Sequence, residues 1–304
     1  MTHQFKDLYQ SVTDQIVTAL EAGTPPWVCP WSRTPGNAMP ANLATSRAYR
    51  GINTILLNMQ AMSHGYAVNR WLTFQQARAL GACVRKGETG TGIVFFKMLE
   101  RDADSSRCAN DEPARRVIPL LRSFTVFNAA QVEGLPESLV APESTPEGWS
   151  PVAAAEELLA RSGVTIRHGG DQAFYRPSDD VIQLPSPAVF PEASRYYNVA
   201  LHELTHSTGH PSRCNRVLMG RQHIEAYAFE ELVAEMGSAF LSSHCGLPGE
   251  LQHASYIAHW LQALKSDKRL IFTAASMAQK AADFLLPPQA TAPNPQVSAI
   301  PALA

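Results

Sequence analysis

At 304 residues the chain exceeds what one hydrophobic core of ordinary size supports, so two domains are expected, each large enough to fold alone. The formal net charge of −2 conceals a division: residues 1–130 carry 14 Lys/Arg against 9 Asp/Glu, and residues 131–304 carry 11 against 18. That division suits an N-terminal half that meets a polyanion, and equally two solvated faces of opposite sign. The absence of any run of 18 apolar residues excludes a membrane-spanning helix, and the opening Met1-Thr2-His3-Gln4-Phe5-Lys6 lacks the apolar core of a secretion signal. The cysteines, Cys29, Cys83, Cys108, Cys214 and Cys245, are odd in number and too widely spaced for a C-x-x-C metal or redox site. A soluble, cytoplasmic protein without a membrane partner is expected.

Phe5, Leu8, Val12, Ile16 and Leu20 recur at helical spacing ahead of Gly23 and predict an amphipathic opening helix. In Pro25-Pro26-Trp27-Val28-Cys29-Pro30-Trp31 the prolines forbid further helix and leave both indoles on irregular backbone. Ile52, Ile55, Leu56 and Met59 share one face of a helix predicted over 51–62, and Thr73 caps a short one that stops at Gly81. The periodicity then changes. Ile93 to Leu99 and Val117 to Phe127, rich in branched and aromatic residues, predict two paired strands around a mobile polar loop at 101–116.

Pro136, Pro142 and Pro146 interrupt the apolar pattern between Glu133 and Ser150, the expected domain boundary. Ser150-Pro151 supplies a cap and a first-position proline for a helix over 152–161. Short strands are predicted at 164–168 and 181–184, then a helix around residue 202 and three more at 225–244, 250–265 and 270–285. The Pro/Ala tail is expected to be disordered. The fold class is α+β, with domains at 1–132 and 151–286, a linker at 133–150 and a tail at 287–304.

His202 and His206 are four residues apart, so on a helix they lie on one face and reach one ion together. With Glu203 they form H-E-x-x-H, in which two histidines hold Zn2+ and the glutamate takes a proton from water and passes it to a leaving amine. A catalytic zinc needs a third protein ligand. On a wheel of the 225–244 helix, Tyr227, Ala228, Glu235, Ser238 and Ser242 fall near Glu231, opposite Phe229, Val233, Met236 and Phe240. Solvent exposure would explain this polar stripe; so would Glu231 as ligand and Glu235 as partner to a histidine. Gly209 is expected to end the metal helix in a left-handed conformation. His210 either lines the cleft or packs at the surface, and Tyr227 is either an oxyanion donor or a core residue.

The segments His202-Glu203-Leu204-Thr205-His206-Ser207-Thr208-Gly209-His210 and Tyr227-Ala228-Phe229-Glu230-Glu231-Leu232-Val233-Ala234-Glu235 resemble the zincin domain of the ArdC-type antirestriction proteins. These in turn resemble the N-terminal part of the TraC primases of conjugative plasmids. Tyr49-Arg50-Gly51-Ile52-Asn53, Trp71-Leu72-Thr73-Phe74, Gly87-Glu88-Thr89-Gly90 and Val126-Phe127-Asn128-Ala129-Ala130-Gln131 are similar to that family's single-stranded-DNA-binding domain. The resemblance implies a plasmid-type protein that binds single-stranded DNA and helps incoming DNA survive restriction. Glu231-x-x-Ala234-Glu235 is also similar to the ligand helix of anthrax lethal factor and related gluzincins, whose first glutamate binds zinc.

Binding single-stranded DNA requires cations along the phosphates and rings on which bases stack. Arg33, Arg47, Tyr49, Arg50, Asn53, Arg70, Trp71, Arg85, Lys86 and Lys97 are the candidates, with Trp27, Trp31 and Phe74 nearby; Asn53 and Glu88 are alternatively structural. Two functions stay open: a zinc peptidase that cuts an unknown protein or peptide near the strand, and a strand-coating protein whose zinc is structural. A nuclease is disfavoured because no carboxylate cluster suits two magnesium ions.

Overall fold

Asp7 accepts from the backbone N–H groups of Tyr9 and Gln10 and so starts helix α1 (Leu8–Glu21), whose buried stripe is Val12, Thr13, Ile16 and Leu20. The computed structural model describes residues 7–28, 39–101, 116–140, 150–218, 223–252 and 254–286; the side chains of 97–101, 116–120, 151 and 254 lie outside the description. The expectations for Phe5, Trp31, Arg33, most of the 101–116 loop and the 287–304 tail fall outside it too.

The N-terminal half follows α1 with strand β1 (Ala41–Asn42), helix α2 (Ile52–Ser63), strand β2 (Arg70–Leu72), helix α3 (Phe74–Ala79) and strand β3 (Cys83–Val84). A long hairpin comes next, β4 (Thr91–Arg101) and β5 (Arg116–Asn128), then the short strand β6 (Val132–Glu133). The main sheet has the order β1-β2-β5-β4, and β3 pairs with β6 beside it. The two strands pair, as their branched and aromatic composition predicts, in a register from Thr91 opposite Val126 to Arg101 opposite Arg116. Thr73 caps α3 in a capping box with Gln76.

The C-terminal half adds α4 (Glu137–Val140), α5 (Pro151–Arg161), β7 (Thr165–His168), β8 (Phe174–Arg176), β9 (Val181–Leu184), α6 (Ala193–Ser207), α7 (Ile224–Cys245), α8 (Ile257–Ser266) and α9 (Leu270–Leu285). Its sheet has the order β7-β9-β8. Strand β8 is not foreseen because three residues carry too little alternation. The helix expected from 250 begins instead with a single 3-10 turn, Ala254–Tyr256. None of the described helices is long and apolar enough to cross a membrane.

The two halves share one core. Ile16, Leu20, Ile55, Leu56 and Val94 join Leu232, Phe240, Trp260 and Ala274 in a continuous buried cluster. Trp27 meets Trp260 edge to face, with ring centroids 5.8 Å apart. Thr13 Oγ1 donates to Lys268 O (2.8 Å), Gly51 N donates to Gln279 Oε1 (2.8 Å), and Arg50 pairs with Asp283.

Candidate metal centre

Leu201 and Leu204 are fully buried and pin α6 to the core, each contributing about 1.5–3 kcal/mol by leaving water. Against α6 lies α7, whose residues 230–238 are all buried. Its far side meets α9, which offers the buried small residues Ala274, Ala275, Ala278 and Ala282. Solvent exposure is therefore not the reason for the polar stripe on α7: that stripe faces α6, where Ser242 Oγ donates to Asn198 Oδ1 (2.8 Å). The helices touch closely where Gly237 meets Thr205. A Cβ at Gly237 would lie 2.4 Å from Thr205 Cγ2.

This crossing brings three donors together. His202 Nε2 is 3.1 Å from His206 Nε2 and 3.2 Å from Glu231 Oε2, and His206 Nε2 is 3.5 Å from the same oxygen. Metal–ligand bonds of about 2.0 Å in tetrahedral array place ligand atoms about 3.3 Å apart, so two imidazoles and one carboxylate fit a single ion with a position left open. The group is buried: His202 and Glu231 are 1% and 2% exposed. Burial alone would raise the Glu231 carboxyl, but hydrogen bonds with His202 and His206 outweigh it and hold the carboxyl well below its ordinary range. Burial would likewise lower the His206 imidazole, but Glu230, Glu231 and Glu203 push it up.

The other residues singled out in the sequence fall as follows. Glu203 is buried on α6, and its charge reaches His206. Tyr227 sits one turn before Glu231, half-buried, its ring centroid 5.6 Å from that of Tyr256. Glu235 accepts from the backbone N of Gln252 (3.0 Å), and the carboxylate on His206 Nδ1 is that of Glu230 (3.3 Å). His210 turns to Ser212, with Nδ1 2.8 Å from its hydroxyl. Gly209 does not adopt the left-handed conformation expected of it. The helix ends at Ser207, and a Cβ at Gly209 would lie 2.7 Å from Leu218 Cδ2, so a side chain there would have to displace Leu218.

Sequence reasoning missed Glu230 and Arg216. Both side chains are buried, and Arg216 Nη2 donates to Glu230 Oε1 (2.7 Å). The available signal was the consecutive pair Glu230-Glu231 on a helix whose middle is buried, since an unpaired carboxylate there is costly.

The DNA candidates divide. Trp71 is fully buried, donates from Nε1 to Asn69 Oδ1 (2.8 Å) and packs against Tyr66, so it belongs to the core and cannot stack a base. Asn53 is structural: its amide clamps the backbone of Val94, donating to O (2.7 Å) and accepting from N (2.9 Å). Tyr49 is half-buried with its hydroxyl accepting from Asn42 (3.2 Å), Arg50 is engaged by Asp283, and Arg85 pairs with Glu88 (2.6 Å). Arg47 and Lys86 are exposed and Arg70 is half-buried; Lys97 lies on β4 with its side chain outside the description. Exposed rings are found instead at Phe74, Phe95 and Phe96.

A profile of the N-terminal domain of the anti-restriction factor ArdC matches residues 6–127, and one of zincin-like metallopeptidases matches residues 153–277. The uncharacterized protein y4eC of Sinorhizobium fredii (strain NBRC 101917 / NGR234) is 45% identical over 300 residues, covering 96% of this chain and 95% of that protein. DNA primase TraC of Escherichia coli is 44% identical over 297 residues, which span 92% of this chain and 27% of the primase. Crystal structures of the antirestriction ArdC protein from the R388 plasmid, one metal-free and one Mn(II)-bound, are 42% identical and superpose with TM-scores of 0.76 and 0.74. Each covers 92% of this chain, which spans 96% and 97% of their respective lengths. With both halves matched in order, and y4eC and the R388 ArdC structures covered almost end to end, the chain belongs to the ArdC family of antirestriction proteins.

Proposed function

We propose that this protein binds single-stranded DNA through its N-terminal half and holds one Zn2+ ion at His202, His206 and Glu231 for the hydrolysis of a protein or peptide substrate. The observation that carries the reading is the 3.1, 3.2 and 3.5 Å spacing of three buried donor atoms. A divalent ion bound there supplies Lewis acidity and lowers the pKa of water. Glu203, on the same helix between the histidines, takes the proton of the attacking water and returns it to the leaving amine. The relative crystallised with Mn(II) supports metal use by this fold.

On the DNA side the exposed candidates Arg47 and Lys86 are joined by Arg122, which the sequence did not single out, and by Phe95 and Phe96, 42% and 54% exposed on β4. Phe95 and Arg122 face each other across the hairpin. Ring and guanidinium side by side suit base stacking with phosphate contact. The relatives that include a DNA primase accord with a nucleic-acid partner.

The test is Glu203→Gln, which keeps the size of the side chain and removes the base. Folding, metal content and DNA affinity should stay at wild-type values while proteolysis of recipient-cell extract and antirestriction in a mating assay are lost. Full antirestriction by a Glu203→Gln protein of normal abundance would instead support protection by coating the strand.

A further inference from the structure

Glu230 and Glu231 are consecutive, yet they meet one imidazole from opposite sides. Glu231 Oε2 lies 3.5 Å from His206 Nε2, and Glu230 Oε1 lies 3.3 Å from His206 Nδ1. A neutral imidazole carries one N–H. A ring that donates through Nδ1 to Glu230 keeps its Nε2 lone pair for the position shared with His202 and Glu231.

What holds Glu230 in that role is Arg216, from the segment that follows the metal helix. Its guanidinium forks onto the carboxylate, Nε donating to Oε2 (3.0 Å) and Nη2 to Oε1 (2.7 Å), and the two side chains are 5% and 7% exposed. The remaining donors grip α6 itself: Nη2 reaches Thr205 O (2.9 Å) and Nη1 reaches Thr208 Oγ1 (2.7 Å). Thr205 lies between the histidines, so one cation ties Glu230 to the backbone of the metal motif. It also neutralises a buried carboxylate that would otherwise add to the negative charge of Glu231 and Glu203. The segment is anchored separately by Arg213, whose Nε donates to Ser207 O (2.7 Å).

We propose that Arg216 and Glu230 are positioning residues of the metal centre: Arg216 locks Glu230, and Glu230 holds His206 as the Nδ1–H tautomer with Nε2 aimed at the ion. The inference rests on the metal reading above.

The experiment uses the full chain as wild type, Glu230→Gln, Arg216→Lys and the double variant Arg216→Met/Glu230→Gln, in which both charges are removed together. Dissociation constants for Zn2+ and Mn2+ are measured by competition with a chromophoric chelator, folding by thermal unfolding, and the His206 imidazole N–H by proton NMR of the zinc-loaded protein. Loss of such a partner weakens metal binding about 10–100-fold. We expect that loss in Glu230→Gln and in the double variant, an intermediate one in Arg216→Lys, and an upfield shift of the His206 N–H with that of His202 unmoved. Where Glu230→Gln does not fold, the charge-free double variant supplies the reading. A folded variant with wild-type dissociation constants and an unshifted His206 N–H overturns the relay. A wild-type chain that binds neither Zn2+ nor Mn2+ overturns the metal reading instead.

Discussion

Replacing Gly237 with Ala adds one methyl at the crossing of α6 and α7. It would sit 2.4 Å from Thr205 Cγ2, with Thr205 Oγ1 next at 3.2 Å, where ordinary contact between carbons is about 3.5–4.0 Å. An overlap above about 1 Å must be relieved by turning Thr205 or by parting the helices. Turning is opposed because the Thr205 hydroxyl donates to Leu201 O (2.8 Å). In an unhindered helix interior Gly→Ala stabilises by about 1 kcal/mol, while overpacking a core costs about 1–3 kcal/mol. We therefore expect a net loss of up to about 2 kcal/mol, or roughly 2–4 °C of Tm per kcal/mol for a unit of 150–250 residues. Metal binding should suffer more, since Glu231 and the histidines sit on the two parted helices and ligand distances tolerate only about 0.2 Å. Calorimetry and zinc titration of Gly237→Ala, Thr205→Ser and the double variant measure both effects. Serine lacks the clashing methyl but keeps the hydroxyl, so the double variant should recover most of the stability and affinity. A Gly237→Ala protein more stable than wild type with unchanged affinity, or one that Thr205→Ser does not rescue, would refute the close-crossing argument.

Trp71→Ala should destabilise the fold by about 3–5 kcal/mol, seen in denaturant unfolding, because the indole is fully buried; a stable variant with selectively weakened DNA affinity would contradict its burial. Phe95→Ala/Phe96→Ala should leave Tm nearly unchanged and weaken single-stranded DNA binding, with about 1–3 kcal/mol at stake for each stacked base; unchanged affinity in fluorescence anisotropy across a salt series would remove these rings from the interface. The hydrogen bond from Arg213 holds the Asp180 carboxyl at about 2 against an ordinary 3.8. Because the folded value is the lower one, its stabilisation is complete above the ordinary value and is lost as pH falls through the folded one. Wild type should therefore lose stability relative to Asp180→Asn between about pH 4 and 2; parallel Tm profiles for the two proteins would dismiss the ion pair as a source of acid sensitivity.

Local pattern carried much of this protein's design into plain view. The opening helix, the β4–β5 hairpin and the histidine pair are legible because each depends on neighbours within a few residues, at periods of 3.6 or 2. The α7 wheel likewise pointed Glu231 towards the histidines, since one helix sets its own faces.

Pairings between distant segments were not legible. Trp71 and Phe95 are both aromatics beside cations in the sequence, and only the sheet and the helix packed on it decide that the first is sealed against Tyr66 while the second faces water. Arg50 looked available for phosphate until α9 brought Asp283 to it across 233 residues. Strands of two residues, such as β1 and β3, have no period to read. At the metal centre the wheel picked out Glu231, yet the role of Glu230 follows from Arg216, 14 residues away on a segment without periodicity. The spacing of residues along one helix belongs to the chain; which buried charge meets which partner is decided when separate helices close on each other and water leaves, because only then does an unpaired charge become costly.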